Sequence, residues 1–241
     1  MRKHLIFFIN VSLLLCLIST SGVYAKDKGL GSIATYRTEL TGDRHLEKIQ
    51  LIKKENDRLE MVIVSKKSYQ IPLPKGIEPK IIFKDMNQDS IKDIFIYISS
   101  KDDDKAATYI IYTLKDENLS RMIVPEELPV TAQFKNGYKA SVQINQTGQT
   151  FVIDLNKQKK RYDQQGIYQN GMLNEPTELM VSGLKTLKPV RLRDLSIGLK
   201  GRQLISDGYN DEMIGYVDST WKWSNHHWEL QNTIVKQVKP K

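Results

Sequence analysis

Alternation of apolar and polar side chains with a period of two is the dominant pattern of this chain, and it excludes a helical fold. Leu59, Met61 and Ile63 alternate with Glu60 and Val62, and Ile71 and Leu73 flank Pro72. Ile94, Ile96 and Ile98 alternate with Phe95 and Tyr97, which are also apolar, so this strand is predicted to be buried on both faces. Residues 109–112, 141–144 and 151–155 continue the pattern. Turn signals such as Lys135-Asn136-Gly137, Thr147-Gly148 and Asn170-Gly171 separate these runs at intervals of about 8–15 residues. No amphipathic stretch with helical period exceeds about two turns. The expected class is mainly β. Residues 99–106 read as a charged excursion between strands, and the basic run 156–161 reads as a solvated hairpin tip.

The N-terminus carries a different signal. Arg2, Lys3 and His4 precede an apolar run at 5–17 broken only by Asn10 and Ser12, and Val23-Tyr24-Ala25 supplies compact residues at a cleavage site. Residues 1–25 are therefore expected to be a secretory signal, since the run is short for a membrane span. Cys16 follows Leu15, where a lipid-attachment cysteine needs a small residue. It is the only cysteine, so the mature chain would hold no disulfide, thiolate metal site or cysteine nucleophile. An exported chain of this kind fits a bacterial envelope. Residues 26–241, about 216 after removal of 25 from 241, are expected to form one β-rich domain. Loss of Arg2 and Lys3 lowers the net charge from +8 to about +6. That modest excess suits anionic wall polymers or lipid head groups but calls for no nucleic-acid partner. No second apolar stretch is long enough to span a membrane.

The most specific motif is the nonapeptide 85–93, Asp-Met-Asn-Gln-Asp-Ser-Ile-Lys-Asp, which runs straight into the Ile94 strand. Oxygen-bearing side chains stand at its first, third, fifth and ninth positions. A hard divalent cation takes six to eight oxygen ligands, and a tight loop supplies them from alternate side chains and a carbonyl. Asp85, Asn87, Asp89 and Asp93 would give side-chain oxygens, Ile91 its carbonyl, and calcium is the cation expected. Unneutralised, the three carboxylates repel one another. The alternative is that Asp85 and Asp93 cap a turn through backbone amides.

A shift of 46 residues reveals a second copy at 39–47. Glu39, Thr41, Asp43 and Glu47 match Asp85, Asn87, Asp89 and Asp93, and His45 stands at the place of Ile91. Again an alternating strand follows, from Ile49. These units resemble the calcium loops of FG-GAP and VCBS repeats, and the chain as a whole resembles a family of secreted bacterial VCBS repeat-containing proteins. The likeness is carried by the loops, by Asp93-Ile94-Phe95, and by Gly215-Tyr216-Val217 with Trp221-Lys222-Trp223. It implies two repeat units, at about 36–75 and 81–124, and a degenerate third near 190–230. It also implies an extracellular β module that binds calcium and has no assigned catalytic activity. Such loops usually carry glycine at the fourth and sixth positions, where the backbone turns left-handed. Here those positions are Gly42 and Arg44, then Gln88 and Ser90. In the third unit residues 193–201 have lost the acids, so no ion is expected there. The repeat spacing equals one four-stranded blade, which predicts a small or incomplete β-propeller-like arrangement of antiparallel sheets, with a β-sandwich as the alternative.

Other candidates are weaker. His226 and His227 adjoin Trp223 and Trp228, but neighbours on a strand face opposite ways and do not share an ion. Trp221, Trp223 and Trp228 suit packing better than stacking on a sugar or peptide. No Gly-x-Ser-x-Gly elbow or His-Glu-x-x-His pair occurs. Lys157, Lys159, Lys160 and Arg161 are the candidate anion-binding residues. The expected function is an exported, non-catalytic calcium-loop module acting on an envelope protein or polymer, secreted or wall-associated. A polysaccharide-hydrolysing enzyme and an anionic-polymer or membrane-surface binder are the rivals.

Overall fold

The computed structural model describes residues 31–100, 107–209 and 212–238. The signal segment, Cys16 and most of the charged excursion at 99–106 lie outside the described residues. Strands dominate, all of them antiparallel to their partners. β1 (Ser32–Thr38), β2 (Glu47–Lys53), β3 (Leu59–Val64) and β4 (Ser68–Leu73) form a first sheet in chain order. β5 (Ile77–Lys84), β6 (Asp93–Ser99), β7 (Thr108–Lys115) and β8 (Asn118–Met122) form a second in the same way. A three-stranded sheet follows, of β9 (Val130–Lys135), β10 (Lys139–Ile144) and β11 (Gln149–Asp154). After helix α1 (Lys159–Gln164) and the small hairpin β12 (Tyr168–Gln169) and β13 (Met172–Leu173) comes a fourth sheet with longer strands. These are β14 (Met180–Arg191), β15 (Ile197–Ser206), β16 (Met213–Ser224) and β17 (His227–Gln237). None of the sheets closes on itself.

Why the sheets stack follows from β6. Its alternate residues Ile94, Ile96 and Ile98 are buried with Ile49, Leu51, Met61 and Ile63 of the first sheet. Phe95, on the opposite face, is buried with Tyr109, Ile111 and residues of the third and fourth sheets. The expectation of a doubly buried strand holds, and the second sheet is the shared wall of two cores. The fourth sheet uses its long strands twice. Near one end Tyr109 donates to the Lys185 carbonyl (3.3 Å) and Trp228 Nε1 to the Ile123 carbonyl (2.8 Å), both second-sheet connections. Toward the other end Thr233 donates to Gln149 of the third sheet (3.0 Å), and Gly215 leaves room for Ile153.

Two sequence expectations meet different fates here. Asn170-Gly171 makes the tight hairpin it announced, with φ of 53° and 80°, the left-handed pair that a two-residue turn requires. The run 156–161 is not a hairpin tip. It forms a 3-10 turn (Asn156–Gln158) and the start of α1. Leu155 and Tyr162 are fully buried anchors on either side, no returning strand follows, and Lys, Gln and Arg are good helix formers.

Candidate functional site

The two nonapeptide loops join the first and second strands of the first and second sheets, and they share one hydrogen-bonding scheme. In both, the ninth-position acid is buried and reaches back to the second-position amide. Leu40 N–H donates to Glu47 (2.6 Å) and Met86 N–H to Asp93 (2.7 Å). In both, the fifth-position aspartate accepts the amide two residues on: His45 to Asp43 (2.9 Å), and Ile91 to Asp89 (2.9 Å). In both, the fourth and sixth residues are left-handed, with φ of 90° and 69° at Gly42 and Arg44, and 65° and 71° at Gln88 and Ser90. Three of these four are not glycine, and each carries a steric cost of about 1–2 kcal/mol. The loop hydrogen bonds hold that strain.

The loops also touch. A side chain at Gly42 would meet the Ile91 side chain at 3.0 Å. Asp116 N–H, in the turn between β7 and β8, donates to the Thr41 carbonyl (3.1 Å). Each loop thus leans on the next sheet of the stack, because Gln88 of the second loop donates to the Trp223 carbonyl on β16 (2.8 Å).

Calcium requires oxygens that converge on one point. Here the oxygens turn to the backbone instead. Asp85 accepts the amides of Asp89 (3.2 Å) and Ser90 (2.9 Å), Asn87 that of Asp89 (3.0 Å), and Asp93 Oδ2 those of Met86 and Asn87. Asp89 Oδ2 faces the Lys115 ammonium at 3.4 Å, and in the first loop Asp43 Oδ2 faces Lys66 at 2.9 Å. Among the described residues no three or more His, Cys, Asp or Glu side chains gather as a metal-holding group. As arranged, these loops are hydrogen-bonded turns, and the donor set does not fit a calcium shell. One oxygen stands apart: Asp93 Oδ1 is buried and accepts no backbone amide, and the buried Thr113 hydroxyl stands beside the carboxyl. Burial pushes the Asp93 carboxyl up to about 6, against the pull of the Met86 and Asn87 amides. Burial raises Glu47 in the same way.

Loop 85–93 opens onto a groove between the second and fourth sheets. One hollow of about 540 Å³ is lined by Asn87, Asp89, Thr113, Lys115, Trp223 and His226, among others. A second, of about 790 Å³, continues past Glu126 and Glu127 to His227 and Trp228. The two share Arg121, Met122 and Ile123. Trp223 and Trp228 meet edge-on with ring centroids 5.2 Å apart, so packing claims much of their surface, as expected. His226 lines the first hollow and His227 the second. Ile123 was missed from the sequence; it is an apolar side chain 62% exposed at the centre of the groove.

The basic run is divided. Arg161 is paired with the buried Asp207 (2.9 Å) and with Glu212, and its guanidinium lies 4.5 Å from the Tyr162 ring centroid. It is therefore spent on the fold, while Lys157, Lys159 and Lys160 stay exposed. The third loop differs from its expected register. The turn lies at 192–196, with Leu192 N–H donating to the Ser196 carbonyl, and Asp194 rather than Arg193 anchors it.

Comparison with known proteins finds one family model, the YybI C-terminal domain, matching residues 128–236, the third sheet, α1 and the fourth sheet. The chain is also similar to "Uncharacterized protein YybI" of Bacillus subtilis (strain 168), 27% identical over 165 residues. That alignment covers 66% of this chain and 63% of the relative, so the chain spans less than two thirds of that protein's length. No solved structure matches.

Proposed function

We propose that this chain is an exported, non-catalytic β module that binds a component of the cell envelope in the groove between its second and fourth sheets. The supporting observation is the groove itself. It joins apolar and aromatic surface (Ile123, Trp223, Trp228) to a rim of mixed charge (Asp89, Lys115, Arg121, Glu126, Glu127), the usual composition of a binding surface. In this reading the stacked sheets are blades of an incomplete, open propeller of the FG-GAP and VCBS kind. The nonapeptide loops brace the stack at the groove's edge. Residues 1–25 are the discarded signal, and calcium is not required for binding.

The test is co-sedimentation of residues 26–241 with cell-wall and membrane fractions. Ile123→Asp places a charge in the groove at a site too exposed to disturb the core, and binding should fall by about tenfold. If instead Lys157→Ala, Lys159→Ala and Lys160→Ala together abolish binding in a salt-sensitive way, the anionic-polymer reading replaces this one. Release of soluble wall fragments by the unaltered chain would revive the hydrolase.

A further inference from the structure

The outer strand of a sheet carries unpaired backbone groups, and folded chains blunt such edges with prolines and bulges. Among the described residues the three four-stranded sheets have β1, β4, β5, β8, β14 and β17 as their outer strands. The pairings of β1, β5, β14 and β17 are broken by register shifts, and β4, β5 and β14 carry Pro72, Pro79 and Pro189. β8 has neither device. Its ladder with β7 runs without a shift from Lys115 opposite Asn118 to Ile111 opposite Met122.

β8 is short, yet the open edge does not stop at Met122. Residues 123–129 join no sheet, and Pro125 and Pro129 bias the residues before them, Val124 and Leu128, toward extended backbone. The segment is pinned at both ends. Trp228 holds the Ile123 carbonyl, and the buried Gln203 side chain pairs with the N–H (2.9 Å) and the carbonyl (3.1 Å) of Leu128, as a neighbouring strand would. Between the pins, no hydrogen bond among the described residues reaches the backbone of Val124, Pro125, Glu126 or Glu127. These residues form one continuous wall of the larger hollow, and residues 121–123 border both hollows.

One class of envelope component suits that wall. An anionic polymer would face Glu126 and Glu127, both exposed. A lipid surface would leave the unpaired amides and carbonyls unsatisfied. A sugar needs free ring faces, whereas Trp221 is buried and Trp223 and Trp228 pack against each other. A polypeptide strand supplies the missing hydrogen bonds from its own backbone. Basic side chains on it would meet the two glutamates, and an apolar one would cover Ile123.

We propose that the groove takes an extended, basic peptide segment of an envelope protein, which adds as a strand along β8 and residues 123–127. Main-chain hydrogen bonds give the affinity, Glu126 and Glu127 select positive charge, and Ile123 selects an apolar side chain. The proposal rests on the groove reading above and narrows its partner to a polypeptide.

The experiment is fluorescence polarisation of dye-labelled hexapeptides titrated with residues 26–241. A probe of alternating valine and lysine should bind, and one of alternating valine and glutamate should bind at least about tenfold more weakly. Glu126→Lys combined with Glu127→Lys should reverse that order. N-methylation of the valine–lysine probe separates strand addition from side-chain contact, since only alternate amides of an added strand face the wall. Methylating one alternate set should weaken binding by at least about tenfold, and methylating the other by less than about threefold. Equal loss from both sets, no preference for the basic probe, or dimers of the unaltered chain formed through this edge in sedimentation equilibrium would overturn the proposal. If no probe binds while Ile123→Asp still releases the chain from wall or membrane fractions, the peptide falls and the groove reading stands. If Ile123→Asp releases nothing, the groove reading falls and the peptide with it.

Discussion

Phe95→Ala should lower stability by about 3–5 kcal/mol, as expected for emptying a fully buried aromatic site. The effect should reach both cores. Phe95 is 1% exposed and packs toward the third and fourth sheets, while its neighbours Ile94 and Ile96 pack toward the first. A cavity on one face of β6 loosens the strand that both cores share. Denaturant titration measures the loss, and amide exchange shows where it falls. Protection should drop together in β2, in β6 and in β15. Val152→Ala, on a side chain 67% exposed, should change stability by less than about 0.5 kcal/mol. A loss below about 1 kcal/mol for Phe95→Ala, or exchange confined to one side of β6, would show that the second sheet does not couple the two cores.

Asp93→Asn should make the protein more stable at neutral pH and remove one component of its pH dependence. Asp93 is fully buried and its carboxyl is pushed up to about 6, because burial penalises the charged form more than the Met86 and Asn87 amides favour it. Nearby Asp89 raises it further. The folded-state value lies above the unfolded one, so the folded chain holds the proton more tightly. The stability this contributes is fully present below about pH 4 and is lost as pH rises through about 6. The difference corresponds to on the order of 3 kcal/mol. Asparagine keeps an oxygen for the two amides and carries no charge, and its NH2 group can donate to the Thr113 hydroxyl beside it. The unfolding free energy of Asp93→Asn minus that of the unaltered chain should therefore grow between pH 4 and pH 7. A difference that is flat across that range, or that falls, would mean that Asp93 is not held against its charge. Asp93→Ala serves as the contrast, since it strands both amides and should destabilise at every pH.

Much of the loop architecture was legible without coordinates. Four left-handed positions were expected from the likeness to calcium-loop repeats, and all four turn left-handed although only Gly42 is glycine. The double burial of β6 was legible from the residues themselves: both its faces are written in one seven-residue run. The third loop was misplaced, because matching by position in the nonapeptide started from Arg193. Matching by the aspartate followed by a left-handed residue selects Asp194. Lys66 and Lys115 carried no signal in the sequence, since lysine at a strand end is ordinary on any solvated sheet. Arg161 read as part of a basic patch because its partners, Asp207 and Glu212, lie more than forty residues away.

The division between the two kinds of knowledge is one of range. Strand period, turn residues and the amide-to-carboxylate bonds within each loop act across two to seven residues, so the sequence by itself determined them. Which sheet lies against which, where the groove opens and which cation meets each aspartate depend on contacts such as Gln88 with Trp223, 135 residues apart. Those contacts form only after long stretches of chain have been closed into place, at an entropic cost repaid by burying both faces of β6. No local pattern encodes the outcome. Only the tertiary structure decided that the second sheet faces the fourth, and that an ammonium stands beside each loop aspartate.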